Sequence, residues 1–592
     1  MRQHPRCQCT NVNESCCNGN DDRIVSSSQI GWTKTLIIAC VTVTISSSFS
    51  FGYGIGAPNM YTQFTEPFLR KQYGICDVND NQFRLQHNCT PTTVYEQPIH
   101  VTSSSKKIVI NKSQPVPVII NSLSQSSKQE KLSKPQEEKF TAADLKQEMI
   151  NGLPQTLFII GCFVGSLTGS MWAKIGPRWT RRNLFLINLP ITYIAALLML
   201  IAHYLKVIPL FYISRLFHGY QGGMACCIVP PYINEISSQK VRGSAGVLHQ
   251  FFVTVGILFA QIIGLPVLLS RFRYWSIGLS LMVIPCLIAN IVIFWLPQSP
   301  SEMYINFDRR DRAEAALRKL RGVRNVTAEL DELKSEKATS NKSTGTGASG
   351  TIKSVHISVI QLFTNVNLRW QTITTCTLLT VQALSGINAV FFYSGKMFKT
   401  AGIPDHYLHY ATAVTGLINV IITIVSIQLI ERVGRKPLII YPMVLMITTF
   451  ILLTVFVQLN DKYHSPTIGY VCVVLILIFI CAFAVGLGPI AFVYPNEVFR
   501  TEARDSALKV GLCLNYTGNL LLSLCFPTVN AAIKGYVFLI FSVILVIGFL
   551  ILWWKMPETK NRNVHEIEQF WNVKIVDENK EVFRELIENR LK

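Results

Sequence analysis

From Trp370 to Gly395, and again from Gly535 to Trp554, the chain runs through about twenty residues or more without one ionised side chain. A bilayer core about 30 Å thick needs roughly 20 consecutive apolar residues per helix, and these runs meet that length. Composition agrees: of 592 residues 49% are hydrophobic and 15% charged, against about 25% charged in a soluble protein. The chain is therefore expected to be a polytopic, all-α membrane protein.

Twelve spans are expected, at 33–60, 152–174, 183–204, 208–234, 243–270, 274–296, 366–397, 405–431, 437–459, 466–498, 505–528 and 532–556. They set the organisation: a tail at 1–30, a first six-helix half at 31–298, a charged segment at 299–365, a second half at 366–556 and a tail at 557–592. Within the charged segment, Arg309 to Lys337 has helical spacing, with Ala313, Ala316, Leu317 and Leu320 on one side. The Ser- and Gly-rich stretch from Ser340 to Ser354 reads as a flexible linker.

The net charge of +20 arises from 55 Lys and Arg against 35 Asp and Glu. Most of the basic residues lie in connections, without the interleaved aromatic platform that would point to nucleic acid. Lys174, Arg178, Arg181 and Arg182 crowd the second connection, Lys240 and Arg242 the fourth, Arg432, Arg435 and Lys436 the eighth, and Arg500 and Arg504 the tenth. By the positive-inside rule those connections are cytoplasmic, and both termini with them. The long first connection, 65–150, is then extracellular, and its Ser-, Lys- and Gln-rich composition reads as largely disordered. It carries two glycosylation sequons, headed by Asn88 and Asn111, and a cysteine pair, Cys76 and Cys89, able to bridge outside the cell. Cys7, Cys9, Cys16 and Cys17 precede the first span and are candidates for palmitoylation.

The halves echo each other. Tyr232-Ile-Asn-Glu235 through Arg242-Gly-Ser-Ala245 aligns without a gap to Tyr494-Pro-Asn-Glu497 through Arg504-Asp-Ser-Ala507. Pro297-Gln298-Ser299 matches Pro557-Glu558-Thr559, and Lys174-Ile-Gly176 matches Arg432-Val-Gly434. Two repeats of six helices place a substrate between them near the midplane. The matched Glu and Arg residues are suited to bridging the halves on the cytoplasmic side, each pair contributing about 0–1 kcal/mol at a wet interface.

The residues resemble the sugar-porter family of the major facilitator superfamily, in particular its facilitative hexose carriers. The resemblance rests on Arg215-Leu-Phe-His-Gly219, Pro231-Tyr-Ile-Asn-Glu235, Arg242-Gly-Ser-Ala-Gly-Val-Leu-His249-Gln250, Gln382-Ala-Leu-Ser-Gly-Ile-Asn388-Ala-Val-Phe391-Phe-Tyr-Ser394, Glu431-Arg-Val-Gly-Arg435 and Pro557-Glu-Thr-Lys560. It implies facilitated transport of a hexose such as glucose across the plasma membrane, with no cofactor, with sugar and membrane lipid as partners, with no nucleic acid, and with the oligomeric state left open. A non-transporting sugar sensor, another polyol carrier and a proton-coupled symporter are the alternatives. Its implied sugar contacts fall on Gln250, Ile257, Gln382, Asn388, Phe391, Asn419, Phe492 and Asn515; its implied gating pairs draw on Arg215, Glu235, Arg242, Glu431, Arg435, Glu497 and Arg504. Asn and Gln both donate and accept hydrogen bonds, as a neutral polyol requires.

The sequence departs from the family pattern in places. Ala383 stands for a second glutamine, Ala484 for a glutamate, Leu487 for a proline, Phe492 for a tryptophan and Gln298 for the glutamate after the sixth span, and the second connection has extra residues. Proton-coupled relatives carry an aspartate in the first span; here it reads Phe51-Gly-Tyr-Gly-Ile-Gly56, without an acid. No phosphate-binding G-x-x-x-x-G-K-[ST] or zinc-protease motif occurs, so no enzymatic activity is expected.

Overall fold

A computed structural model describes residues 31–57, 142–172, 180–265, 275–343, 357–391, 407–463 and 465–571 save 563 and 565, together with the isolated positions 268, 398 and 404. Twelve helical segments account for the twelve spans: α1 Lys34–Gly56, α2 Ala142–Trp172, α3 Arg181–Leu205, α4 Ile208–Ile236, α5 Arg242–Ile263, α6 Trp275–Ile293, α7 Val366–Phe391, α8 Leu408–Arg432, α9 Arg435–Tyr463, α10 Thr467–Val498, α11 Thr501–Ile533 and α12 Val537–Lys555. Ten are long and apolar enough to cross a bilayer. The other two, α4 and α11, fall short because they carry polar residues, Arg215, His218 and Gln221 on one and Arg504, Asp505, Asn515 and Asn519 on the other. Exposed Ile288, Ile291, Phe294, Val543 and Ile547 give the bundle the apolar exterior that lipid demands.

Without a hydrophobic force between helices in lipid, close approach depends on small residues. The α2–α4 pair shows this. A Cβ on Gly219 would lie 1.9 Å from the Phe158 carbonyl oxygen, and one on Gly223 2.0 Å from that of Cys162. In return, Gly161 and Gly165 of α2 sit against the carbonyls of Leu216 and Tyr220. The first half packs through such crossings. Helix α2 meets α11, and α5 meets α8, across the boundary between halves.

Four helices are interrupted, α6 by a turn at 281–282. Helix α1 has a π-turn at Thr44–Ser48, whose Ser48 hydroxyl lies 2.8 Å from His249 Nδ1. In α7, Gly386 takes φ 89°, so the helix breaks after Leu384. Helix α10 breaks at Gly486, pressed so closely on the Leu438 carbonyl of α9 that a Cβ would sit 2.1 Å from it. The residue after this break is Leu487, not the proline of the family pattern.

The segment from 309 to 337 forms two helices, Arg310–Arg321 and Thr327–Ser343, rather than one, because Gly322 ends the first in the left-handed region at φ 69°. Ala313, Ala316, Leu317 and Leu320 are buried, as the spacing implied. Arg321 anchors the pair to the bundle: its Nη1 donates to Ile236 O at 2.7 Å and its Nε to Glu329 at 2.9 Å. The start of the C-terminal tail is docked too. Residues 566–571 are helical, Trp571 Nε1 donates to Lys555 O at 3.0 Å, and Arg500 pairs with Glu568 at 2.5 Å.

Candidate functional site

Between the halves lies a cavity of about 60 Å³, room for a few waters at 10–15 Å³ each. Its two walls differ in chemistry. The first half contributes Phe51 and Ile55 from α1, Phe158, Ile159 and Cys162 from α2, and Val253, Ile257 and a single amide, Gln250, from α5. The second half contributes Gln382 and Asn388 from α7 and Asn515 and Asn519 from α11, flanked by Phe391, Phe483, Phe492 and Tyr516. No lining residue is charged.

The four amides of the second half form a ladder. Asn515 Nδ2 donates to Gln382 Oε1 at 2.5 Å and to Leu379 O at 2.7 Å. Asn519 Nδ2 donates to Asn515 Oδ1 at 3.1 Å, and Asn388 Nδ2 donates to Asn519 Oδ1. Each amide is thereby oriented by its neighbour, and all four residues line the cavity. On the opposite side, His249 packs edge-on against Phe492 with ring centroids 5.0 Å apart, so α5 and α10 meet beside the cavity.

Seven of the eight residues expected to touch substrate line this cavity: Gln250, Ile257, Gln382, Asn388, Phe391, Phe492 and Asn515. Asn419 does not. It is buried on α8, which packs on α5 and α10, and among the described residues no part of α8 reaches the cavity wall. Asn519 was missed, although it stands one turn after Asn515 and so shares its helix face. Ala383, buried, packs near Gly518 of α11 and is not a lining residue, so the glutamine missing there leaves no gap in the wall.

At the end of the bundle that bears the short basic connections, a charged latch joins the halves. Arg181 Nε donates to Glu235 Oε2 at 3.0 Å, and its Nη2 lies 3.0 Å from Glu235 Oε1 and 3.0 Å from Asp505 Oδ1. Arg504 Nη1 lies 3.6 Å from Glu235. In the second half Arg435 grips Glu497 through Nε at 3.0 Å and Nη2 at 2.6 Å, while Glu431 accepts the Ser244 N–H of the first half at 2.7 Å. Asn234 Nδ2 donates across the boundary to Asn496 O at 3.1 Å.

Three expectations about the gating set need correcting. Besides the expected Arg504, Glu235 pairs with Arg181 from the second connection, whose extra residues obscured it, while Arg242 enters no ion pair among the described residues. Arg215 is not in the latch: it stands twenty residues from Glu235 on α4, about 30 Å at 1.5 Å per residue. There its Nη2 donates to Gln155 Oε1 at 2.9 Å and Gly54 O at 3.1 Å. Nor is the interface wet, since the Arg181 and Asp505 side chains are only 5% and 10% exposed. Asn88, Asn111, Cys76, Cys89 and the four N-terminal cysteines lie outside the described residues.

An uncharged cavity between two six-helix halves, closed at one end by ion pairs, is the geometry of a carrier. The sequence profile of the Sugar (and other) transporter family matches residues 39–571. The chain belongs to that family. Facilitated glucose transporter member 3 from Oryctolagus cuniculus is 34% identical over 72% of this chain and 83% of its own length. Member 2 from Sus scrofa is 34% identical over 73% and 79%, and member 5 from Rattus norvegicus 32% over 71% and 80%. Among solved structures, the proton:xylose symporter XylE bound to 6-bromo-6-deoxy-D-glucose superposes with a TM-score of 0.66, at 20% identity over 91% of this chain and 99% of that one. A partially occluded inward-open form of XylE from E. coli gives 0.61, at 18% identity over 90% and 100%. The chain is thus a multi-pass sugar transporter of the major facilitator fold.

Proposed function

We propose that this sugar transporter carries a neutral hexose such as glucose across the plasma membrane by facilitated diffusion. The observation that carries the reading is the cavity's asymmetry. A ladder of four oriented amides faces a wall of Phe51, Ile55, Phe158, Ile159 and Ile257. Hydroxyl groups find donors and acceptors on one side, and the apolar face of a sugar ring finds carbon on the other. The absence of charge from the lining suits a solute without charge.

Uniport is supported by the first span, which reads Phe51-Gly-Tyr-Gly-Ile-Gly56 without the aspartate that proton-coupled relatives carry there. Kinship with the facilitated glucose transporters points the same way. Transport follows from rocking of the halves, 31–298 and 366–556, about the cavity, with the latch and both termini cytoplasmic and the sequons of 65–150 outside. A six-carbon sugar exceeds the contracted cavity, so it enters when the halves part and is held as they close. The test is uptake of labelled glucose, fructose, galactose and inositol into a transport-null cell. Saturable uptake of a hexose that falls in Asn388→Ala at equal surface expression supports the reading; uptake of none of these by surface-expressed protein overturns it.

A further inference from the structure

The two halves build the cytoplasmic starts of α3 and α9 from matching parts, with one exchange. In the second half, Glu558 Oε1 accepts the Arg435 N–H at 2.8 Å and Oε2 accepts the Lys436 N–H at 3.0 Å, closing the first turn of α9. Thr559, next in the chain, donates to Glu497 Oε2 at 2.6 Å. In the first half, Ser299 matches Thr559 in sequence and in contact, donating to Glu235 Oε2 at 2.5 Å. The residue before it, however, is Gln298. The carboxyl group against the start of α3 comes instead from Glu302, whose Oε1 and Oε2 lie 3.3 and 3.1 Å from the Arg181 N–H.

Local backbone explains how a residue four positions further on reaches the same place. Ser299 Oγ accepts the Glu302 N–H at 3.2 Å and Ser299 O accepts the Met303 N–H at 3.1 Å, so a helical turn that begins at 300 folds residue 302 back beside Ser299. After Thr559 no such turn forms: Asn561 takes φ 56° and the chain turns away. Glu302 is 2% exposed, a burial that a spare surface glutamate would not show.

We infer that Glu302 is a positioning residue of the transport cycle, supplying from position 302 the carboxyl group that the internal repeat would place at 298. It fixes the first turn of α3, and with it the Arg181 guanidinium that spans Glu235 and Asp505. A carboxyl oxygen at a helix N-terminus accepts an otherwise orphaned N–H, with or without the group's own proton. Releasing it frees the root of the residue that ties α3 to α11. The inference rests on the alternating-access reading, but its readout needs no sugar.

The test uses a cysteine at Val493, a buried α10 residue that packs on Gly246 of α5 across the boundary between halves. Its alkylation by an impermeant maleimide is followed in inside-out vesicles, with the protein lacking V493C as background. Loss of one hydrogen bond in the closed state makes E302A raise the labelling rate roughly 2- to 13-fold. Adding Q298E to E302A is expected to return labelling towards the parent, and E302Q, which keeps an acceptor, to fall between. Unchanged labelling in E302A, or an increase that Q298E leaves unreversed, overturns the inference. Should E302A fail to reach the membrane, the double variant decides: recovered protein with parental labelling supports the exchange, and no recovery overturns it. A failure of the hexose reading would appear as absent uptake with these labelling differences intact.

Discussion

Arg181 Nη2 stands 3.0 Å from Asp505 Oδ1 and 3.3 Å from Oδ2, so the first residue of α3 is bound to the first turn of α11 across the boundary between halves. The same guanidinium holds Glu235 of its own half. One side chain therefore ties the two halves together at the end that bears the short basic connections.

Because this pair is buried, losing the Asp505 charge costs more than the roughly 0–1 kcal/mol of a surface bridge, while Glu235 still pairs with Arg181. Asp505→Asn is expected to shift the protein towards the inward-open form, seen as faster alkylation of V493C from the cytoplasmic side. Labelling equal to the parent would show that the Arg181–Asp505 pair does not hold the gate.

The amide ladder makes its members interdependent. Asn515→Ala and Asn519→Ala are each expected to raise the KM for hexose by about 2- to 13-fold, the value of one hydrogen bond of 0.5–1.5 kcal/mol. Since Asn519 donates to Asn515, the double variant should lose less than the product of the two, measured as a coupling in a double-mutant cycle. Strict multiplicativity would mean that the ladder does not orient the site.

Much of this site was legible in the sequence, and its gaps have physical causes. The apolar runs gave the spans, and the motif residues Gln250, Gln382, Asn388 and Asn515 converge on one cavity. The signal for Asn519 was present in its i+4 spacing from Asn515. Glu302 was hidden because its role depends on a turn that carries it back to Ser299, which no linear match to Pro557-Glu558-Thr559 reveals. Asp505 sits inside the matched Arg504-Asp-Ser-Ala507, yet its counterpart is Gly243, so the repeat gave no reason to give it a partner. Asn419 failed in the opposite way: its residue type fits, but the cavity wall is made by other helices.

The α2–α4 crossing offers a prediction about folding. A Cβ on Gly219 meets backbone at 1.9 Å, while one on Gly152 meets nothing within 4 Å. Gly219→Ala should sharply reduce folded protein at the membrane, assayed by monodisperse recovery in detergent, and Gly152→Ala should not. Equal recovery would show that α2 and α4 separate at little cost.

The latch should also respond to cytoplasmic pH. Burial pushes the Glu302 carboxyl up to about 8, with the Glu235 and Asp505 carboxylates adding to the rise and Arg181 opposing it. Arg504, on the far side of Glu235, belongs to the same cluster. A group whose proton is held more tightly in the closed form than its ordinary value of 4.5 favours closure at acid pH, an advantage lost as pH rises through about 8. The ratio of V493C labelling in the parent to that in E302Q, which cancels the ionisation of the thiol itself, should therefore increase as pH is raised across that window. A constant ratio would assign the response to another group.

The most direct measurement for the central claim is sugar accumulation by the purified protein in proteoliposomes, with and without an imposed inward proton gradient. Facilitated diffusion requires labelled hexose to equilibrate to the same internal concentration in both cases, reached faster than in protein-free vesicles. Accumulation above the external concentration when protons flow inward would contradict uniport and make the chain a proton-coupled symporter.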